Sequence, residues 1–244
     1  MGILDAYDKD GTPVITPDIV YDTKIRHADT CVVTFSHNVL EKVLDEFNHI
    51  VAGQIGSANG MADVYYLPEQ DVLFFMSPIG APAAGCVLQE VQYLGDVKNF
   101  VYFGSCGLIG DISGDKVIVP TESYREEGFS YHYAPPSDYI AIENHKLVKK
   151  VLTHHNIPCV SGRSWTTDAI YIWKRTTKSD SAGKTVASVL RWSLRHCRRS
   201  ARTWGSICIF SLSVVILLVT SGTVLTWVGT ESGISSCSHL RPHC

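Results

Sequence analysis

Acid is what this sequence runs out of. No Asp or Glu occurs from Ser181 to Thr230, and no charged side chain of either sign from Thr203 to Thr230. Up to Trp173 the chain holds 22 acidic and 11 basic side chains, net −11, whereas Lys174–Cys244 holds 2 acidic and 10 basic, net +8. A balance that reverses so sharply predicts two unlike pieces that meet near Ile172 and Trp173. The opening residues MGILDAYDKDG are polar and acidic, without the apolar run of a secretory signal. Met1-Gly2 begins like a myristoylation motif, but Ala6 stands where Ser or Thr is required. No P-loop is present, and GLIGDISG lacks the glycine spacing of a dinucleotide fingerprint. The chain is too long for a small disulfide-stapled fold, so Cys31, Cys86, Cys106 and Cys159 are read as reduced thiols of a cytosolic protein.

What is there is enough apolar sequence for one good-sized α/β domain. Met1–Asp29 is polar and is expected to form a leading arm or hairpin. Cys31–Phe35 reads as a buried strand, and Ser36 is placed to cap a helix with Val39, Leu40, Val43, Leu44 and Phe47 at helical spacing. Gly53–Gly60 reads as a loop, then Val64–Leu67 and Val72–Met76 as strands around a Pro68–Gln70 turn. A helix follows to Leu94, with Pro82 in its first turn, Gly95 just past its end, and Val87, Leu88, Val91 and Leu94 as its buried stripe. Asn144 is expected to cap a helix through His154 with Leu147, Val148, Val151 and Leu152 inward. Val160–Ser164 is the next strand and Thr166–Tyr171 the loop after it. Strand and helix alternate throughout, which predicts an α/β sheet covered on both faces.

The stretch Asn99–Pro120 stands out. It reads as a buried strand from Phe100 to Phe103, the turn Gly104-Ser105-Cys106-Gly107, and a second strand, Lys116–Pro120. A glycine-flanked polar turn at the carboxyl end of an apolar strand is where open α/β sheets bind small ligands.

GSCG, then Gly114-Asp115, an apolar triplet and Pro120, then Arg125-Glu126-Glu127-Gly128 and YHYAPPS, in that order, resemble the nucleoside phosphorylase superfamily, which includes purine nucleoside and uridine phosphorylases. The likeness runs from Thr30 to Tyr171. It implies an α/β fold with a mixed twisted sheet and flanking helices, incomplete at the carboxyl terminus, in a domain of residues 1–171. The implied reaction is reversible phosphorolysis of a nucleoside to free base and pentose 1-phosphate. Phosphate is the implied co-substrate, without metal or organic cofactor, in a cytoplasmic enzyme whose intact relatives are homo-oligomers. By motif, Ser105 matches the hydroxyl that touches phosphate and sugar, and Cys106 and Gly107 the turn along the base. Asp168 matches an acidic residue facing the base. Ile170 stands where relatives often stack a phenylalanine, with Tyr171 beside it to serve instead, and Arg125 matches a recurring arginine. Tyr131 and His132 read as structural. Plainer roles stay open: a hydroxyl completing a turn for Ser105, a cap or turn for Asp168, a surface or subunit contact for Arg125.

Departures bear on activity. The relatives' Gly-Asp-Pro-x-x-Arg phosphate loop is replaced by Thr34-Phe35-Ser36-His37-Asn38, and the arginine before the glycine turn by Tyr102. A phenol does not replace a fixed bidentate charge. Phosphate would then have to bind through Arg125, Arg26 or a neighbouring subunit, or the chemistry is hydrolytic. The relatives' Glu-Met-Glu-type sugar motif and catalytic Asp have no counterpart, so this chain is expected to be weakly active or inactive. Its tail, residues 172–244, is read either as the translation of a frame shifted just after Tyr171, the preferred reading, or as carrying a membrane span at 206–228. The span would follow Arg198, Arg199 and Arg202 and make a tethered nucleoside-binding protein. Cys237, His239, His243 and Cys244 lack the flanking pattern of a zinc site, and Lys174–Arg202 lacks the aromatic interleaving of a nucleic-acid platform.

Overall fold

The structure is a computed structural model describing residues 2–57, 60–106 and 116–168, with the backbone of Ser213–Val219, Val228–Thr230 and Gly233–Ser235. Helix α1 (Pro17–Val20) leads to β1 (Thr30–Thr34), α2 (His37–Glu46), the strands β2 (Ile50–Ser57), β3 (Gly60–Leu67) and β4 (Val72–Met76), and α3 (Ala81–Gly95). Next come β5 (Asn99–Cys106), β6 (Val117–Glu126), β7 (Tyr139–Ala141), α4 (His145–His154), β8 (Cys159–Thr167) and β9 (Ser213–Val219). Short 3-10 turns lie at Ile3–Asp5 and Phe129–His132, and two further strands, Val228–Thr230 and Gly233–Ser235, pair only with each other.

Among the described residues the main sheet has nine strands, ordered β2-β3-β4-β1-β5-β9-β6-β7, with β8 also on β6. The middle is parallel: β1 runs with β4 and β5, and β6 with β8. β9 enters antiparallel to β5 and meets β6 at Val215–Ile118. The fold is the mixed α/β sheet with flanking helices that the motifs imply.

Alternation along the strands builds two cores. Cys31 and Val33, Leu73 and Phe75, Phe100 and Tyr102 face α3, meeting Val87, Val91 and Leu94. Val32, Val72, Phe74, Val101 and Phe103 point the other way, against Val43 of α2 and Val148 and Leu152 of α4. Coverage of both faces is why β1, β4 and β5 read as unbroken apolar runs.

Several local expectations give way. Gly53–Gly60 is not a loop but most of a hairpin, β2 on β3, with a bulge between Val51 and Gly53 that accommodates the glycine. Residues 2–29 form no hairpin. Their end is strapped across the foot of α3, Ile25 N–H donating to Leu94 O at 3.0 Å and Tyr21 Oη to Glu90 at 2.9 Å. Helix α3 runs through Gly95, packed against Leu73, and the left-handed residue that ends it is Asp96, φ 49°. Ser36 and Asn144 sit at the N-cap positions of α2 and α4 without a side-chain cap bond. Leu147 is 38% exposed and Val151 only half-buried, so the inward stripe of α4 is Val148 and Leu152. β6 continues six residues past Pro120, and Thr166 and Thr167 still belong to β8.

Candidate functional site

Strand β5 does not stop at Phe103. Pairing with β9 continues through Cys106 opposite Ser213, so Gly104, Ser105 and Cys106 are extended and do not form the expected turn. Ser105 is exposed at this end and Cys106 is buried. Burial pushes the Cys106 thiol up to about 12, and the wholly buried Cys31 far up as well, so both are neutral thiols and poor nucleophiles. Gly107, Ile170 and Tyr171 lie outside the described residues.

On one side of β5 the carboxyl end of β1 reaches Thr34 opposite Phe103, with β4 beyond it. Ser77 N–H donates to Thr34 O at 2.8 Å, and Ser36 N–H to Thr34 Oγ1 at 3.3 Å, fixing the chain as it leaves β1. Phe35 then stacks on Tyr102, ring centroids 5.8 Å apart and planes 26° from parallel. A Cβ on Gly104 would lie 3.3 Å from Phe35 Cδ2, so the phenyl ring rests on the backbone just before Ser105. Burial raises the Tyr102 phenol above its ordinary range, and it stays uncharged.

Arg125 and Asp168 form a second group, at the ends of β6 and β8. Arg125 is 4% exposed. Its guanidinium donates to Ser130 Oγ (2.8 Å), Pro135 O (2.7 Å), Ser137 Oγ (3.1 Å) and Ala134 O (3.4 Å), over the Tyr131 ring at 4.0 Å. Ser130 passes the charge on: its hydroxyl donates to the buried Glu127 carboxylate, which also accepts Ser130 N–H at 2.9 Å. Beside them Asp168 is exposed, its carboxylate accepting Gly128 N–H at 3.1 Å and its own N–H reaching Glu126 O at 3.3 Å. The loop that Arg125 organises thus carries the donor that holds Asp168. His132 closes the short 3-10 turn of this loop.

This second group leans on α3. A Cβ on Gly85 would come within 2.1 Å of the outer end of the Phe129 ring, so only glycine lets that ring reach the helix backbone. Gln89, one turn on, donates to Tyr133 Oη at 2.9 Å. Helix α3 follows the carboxyl end of β4 in the chain. Sequence named Phe35 and Tyr102 as substitutions and Glu127 within a motif, but neither the contact of Phe35 with Tyr102 nor the pairing of Glu127 with Ser130. For the second pairing the available signal was the three-residue spacing of Glu127 and Ser130, characteristic of a turn bond.

The central parallel strands β1 and β5 end in small polar residues, Thr34 and Ser105, the end of the sheet at which open α/β folds bind ligands. The family model of the phosphorylase superfamily matches residues 19–178, and the chain belongs to that superfamily. Its fold is similar to the purine nucleoside phosphorylase of Toxoplasma gondii solved with immucillin-H: 16% identity over 78% of this chain and 76% of that one, TM-score 0.55. It is also similar to Helicobacter pylori MTAN (12%, 78% and 86%, TM-score 0.52) and to a futalosine hydrolase mutant of Helicobacter pylori (14%, 79% and 89%, TM-score 0.53). No curated protein matches the sequence. At these identities the likeness speaks for the fold, and it takes in both phosphorylase and hydrolase.

The buried thiols give a pH dependence. The Cys106 and Cys31 pKa values are raised in the folded chain, so unfolding releases protons once pH exceeds the free thiol value of about 8.5. Their contribution is complete below that pH and declines as pH rises toward 12. Each thiol adds a slope of about 1.4 kcal/mol per pH unit. Urea unfolding from pH 8 upward should show the decline, and Cys106→Ser should make it shallower. An equal slope in the variant would remove Cys106 from the account.

Proposed function

We propose that residues 1–171, their sheet completed by β9, form a nucleoside-binding domain whose reaction is cleavage of an N-glycosidic bond. What carries the reading is the exposed Ser105 at the end of the buried strand β5, inside the segment matched by the superfamily. In this reading Ser105 contacts the sugar, Cys106 and Gly107 lie along the base, Asp168 faces the base, and Tyr171 serves in place of the relatives' stacking phenylalanine. Arg125 shapes the loop that holds Asp168 and does not itself reach the ligand. The working protein is cytoplasmic and assembles with further copies of itself.

Cleavage makes a ribosyl cation-like centre and a base that needs a proton. Beyond Tyr171 the only acids are Asp180 and Glu231, neither in a pattern resembling the relatives' sugar-binding or catalytic motif. General-acid help contributes roughly 10²–10⁴ in rate, so turnover here should fall at least about 100-fold below a complete superfamily member. Base release followed with inosine and with uridine tests this, and a rate equal to that of the complete enzyme contradicts it. Phosphorolysis is the family reaction the motifs imply. Hydrolysis is the second reading, favoured by the uncharged Phe35–Tyr102 pair.

The tail's origin is a separate proposal: a frame shifted after Tyr171. Reading the nucleotide sequence there in the other two frames should recover an acidic, helix-rich continuation. No helix among the described residues is long and apolar enough to cross a membrane, and Ser213–Val219, inside the 206–228 run, is a strand. Retention in membranes after an alkaline wash would instead favour the tethered protein. Among the described residues no group of three or more His, Cys, Asp or Glu could hold a metal ion. Cys237, His239, His243 and Cys244, and the basic run Lys174–Arg202, lie outside them.

A further inference from the structure

We propose that Phe129 is a positioning residue for Asp168: seated on Gly85 of α3, it holds Gly128 in place, and the Gly128 N–H aims the Asp168 carboxylate. The inference rests on the nucleoside reading, in which Asp168 faces the base, and adds helix α3 to the parts that shape that side of the site.

The contacts form a short chain. Asp168 is exposed, and among the described residues its carboxylate has one donor, Gly128 N–H at 3.1 Å. The Asp168 N–H reaches Glu126 O at 3.3 Å, which holds the backbone but leaves the carboxylate free to turn. Phe129 directly follows Gly128, so the placement of its ring sets where that donor points.

The ring is seated from two directions. Its outermost atoms, Cζ and Cε1, lie 2.1 and 2.2 Å from where a Cβ on Gly85 would stand, so they occupy the space of any side chain there. Glycine inside the fifteen-residue helix α3 is unfavourable by propensity, and what it supplies here is room for this ring. The Tyr133 ring packs on Phe129 with centroids 4.7 Å apart, and its hydroxyl accepts from Gln89, one turn along the same helix, at 2.9 Å. Arg125 holds the loop further on, at Ser130, Ala134, Pro135 and Ser137. Phe129 lies between that network and the donor to Asp168.

Urea unfolding and amide exchange of the full chain test the seat. Gly85→Ala is expected to lower the urea midpoint, whereas alanine at a helix position with free space raises it. Gly85→Ala and Phe129→Ala should each speed exchange at the Gly128 amide by about tenfold or more and leave the β2–β3 hairpin amides unchanged. The double variant should exchange no faster than Phe129→Ala alone, because the clash leaves with the ring. Phe129→Leu, which lacks a ring to reach the helix, should act in the same direction if the alanine variant does not fold. A raised midpoint in Gly85→Ala, or Gly128 exchange unchanged by the substitutions, overturns the proposal.

Titration with inosine and with uridine, followed by amide chemical shifts, tests what the seat is for. In Phe129→Ala the response at Ser105 should persist and the response at Asp168 should shrink. Affinity should fall by about fivefold, the worth of one hydrogen bond. Faster Gly128 exchange with unchanged affinity and an unchanged Asp168 response makes Phe129 merely structural, which overturns the positioning role and leaves the nucleoside reading intact. If neither nucleoside binds the unaltered chain, the nucleoside reading falls and the positioning role falls with it, whatever the exchange rates show.

Discussion

A chain ended after Arg202 is expected to aggregate rather than fold. That truncation removes β9, which pairs with β5 from Phe100 opposite Val219 to Cys106 opposite Ser213. From Phe100 to Cys106 strand β5 holds no charge and no proline, the two features that keep a bare edge from recruiting another chain. Its side chains are already committed to the two cores, so the unpaired strand has no route to turn its edge away. The sheet would be cut between β5 and β6, leaving β6, β7 and β8 attached mainly through α4. Size-exclusion chromatography of the full and shortened chains checks this. A shortened chain that stays monodisperse and unfolds at the same urea midpoint would mean that 213–219 is not part of the fold. Whatever its coding origin, an apolar segment rich in β-branched residues is suited to that place.

The second large effect is Arg125→Met. The guanidinium is buried, and its loss leaves four oxygens without their donor and the Glu127 carboxylate without the cation one hydroxyl away. Removing one side of a buried charge system costs about 3–5 kcal/mol, because the remaining charge stays in a medium that does not solvate it. Against a total stability of about 5–15 kcal/mol, that is enough to bring a marginal domain near unfolding. Arg163→Met is the contrast. Arg163 is partly exposed in its pair with Glu122, and such pairs are worth about 0–1 kcal/mol. Urea titrations of both variants should therefore differ by several kcal/mol. A loss below about 1 kcal/mol for Arg125→Met would show the loop to be held by something other than that network. Because Gly128 donates to Asp168, the arginine variant should also loosen Asp168, visible as faster amide exchange at Gly128.

Much of the architecture was readable where one physical signal acted alone. β1 and β4 are short β-branched and aromatic runs, and α3 and α4 keep helical spacing, so the sheet's middle and its helices could be placed. The hairpin of β2 and β3 could not. Gly53, Gly56 and Gly60 imitate a turn, and only a bulge and the packing of Ile25 on Gly53 explain glycine in a strand. Gly95 misled in the opposite sense, since the helix needs it for contact with Leu73 and gives the left-handed turn to Asp96. The run containing β9 is long and apolar enough to suggest a bilayer span, and only its register against β5 makes it a strand.

At the site, Ser105, Cys106, Arg125 and Asp168 could be picked out through an ordered set of motifs, but not the distinction among them. That Arg125 spends its donors on its own loop depends on backbone oxygens at Pro135 and Ala134, which no spacing rule reports. The Phe35–Tyr102 stack joins residues 67 positions apart, one just past the end of β1 and the other on β5. Sequence showed two substitutions there, and the structure shows that the two rings pack on each other in the core.

The account turns on a nucleoside sitting at the carboxyl end of β5. Amide chemical-shift mapping of the full chain with inosine and with uridine tests this most directly. The prediction is that shifts concentrate at Phe35, Ser105, Cys106 and the Gly128–Asp168 contact, and leave the β2–β3 hairpin unmoved. Shifts centred elsewhere with those amides unmoved, or none with either nucleoside, would contradict it.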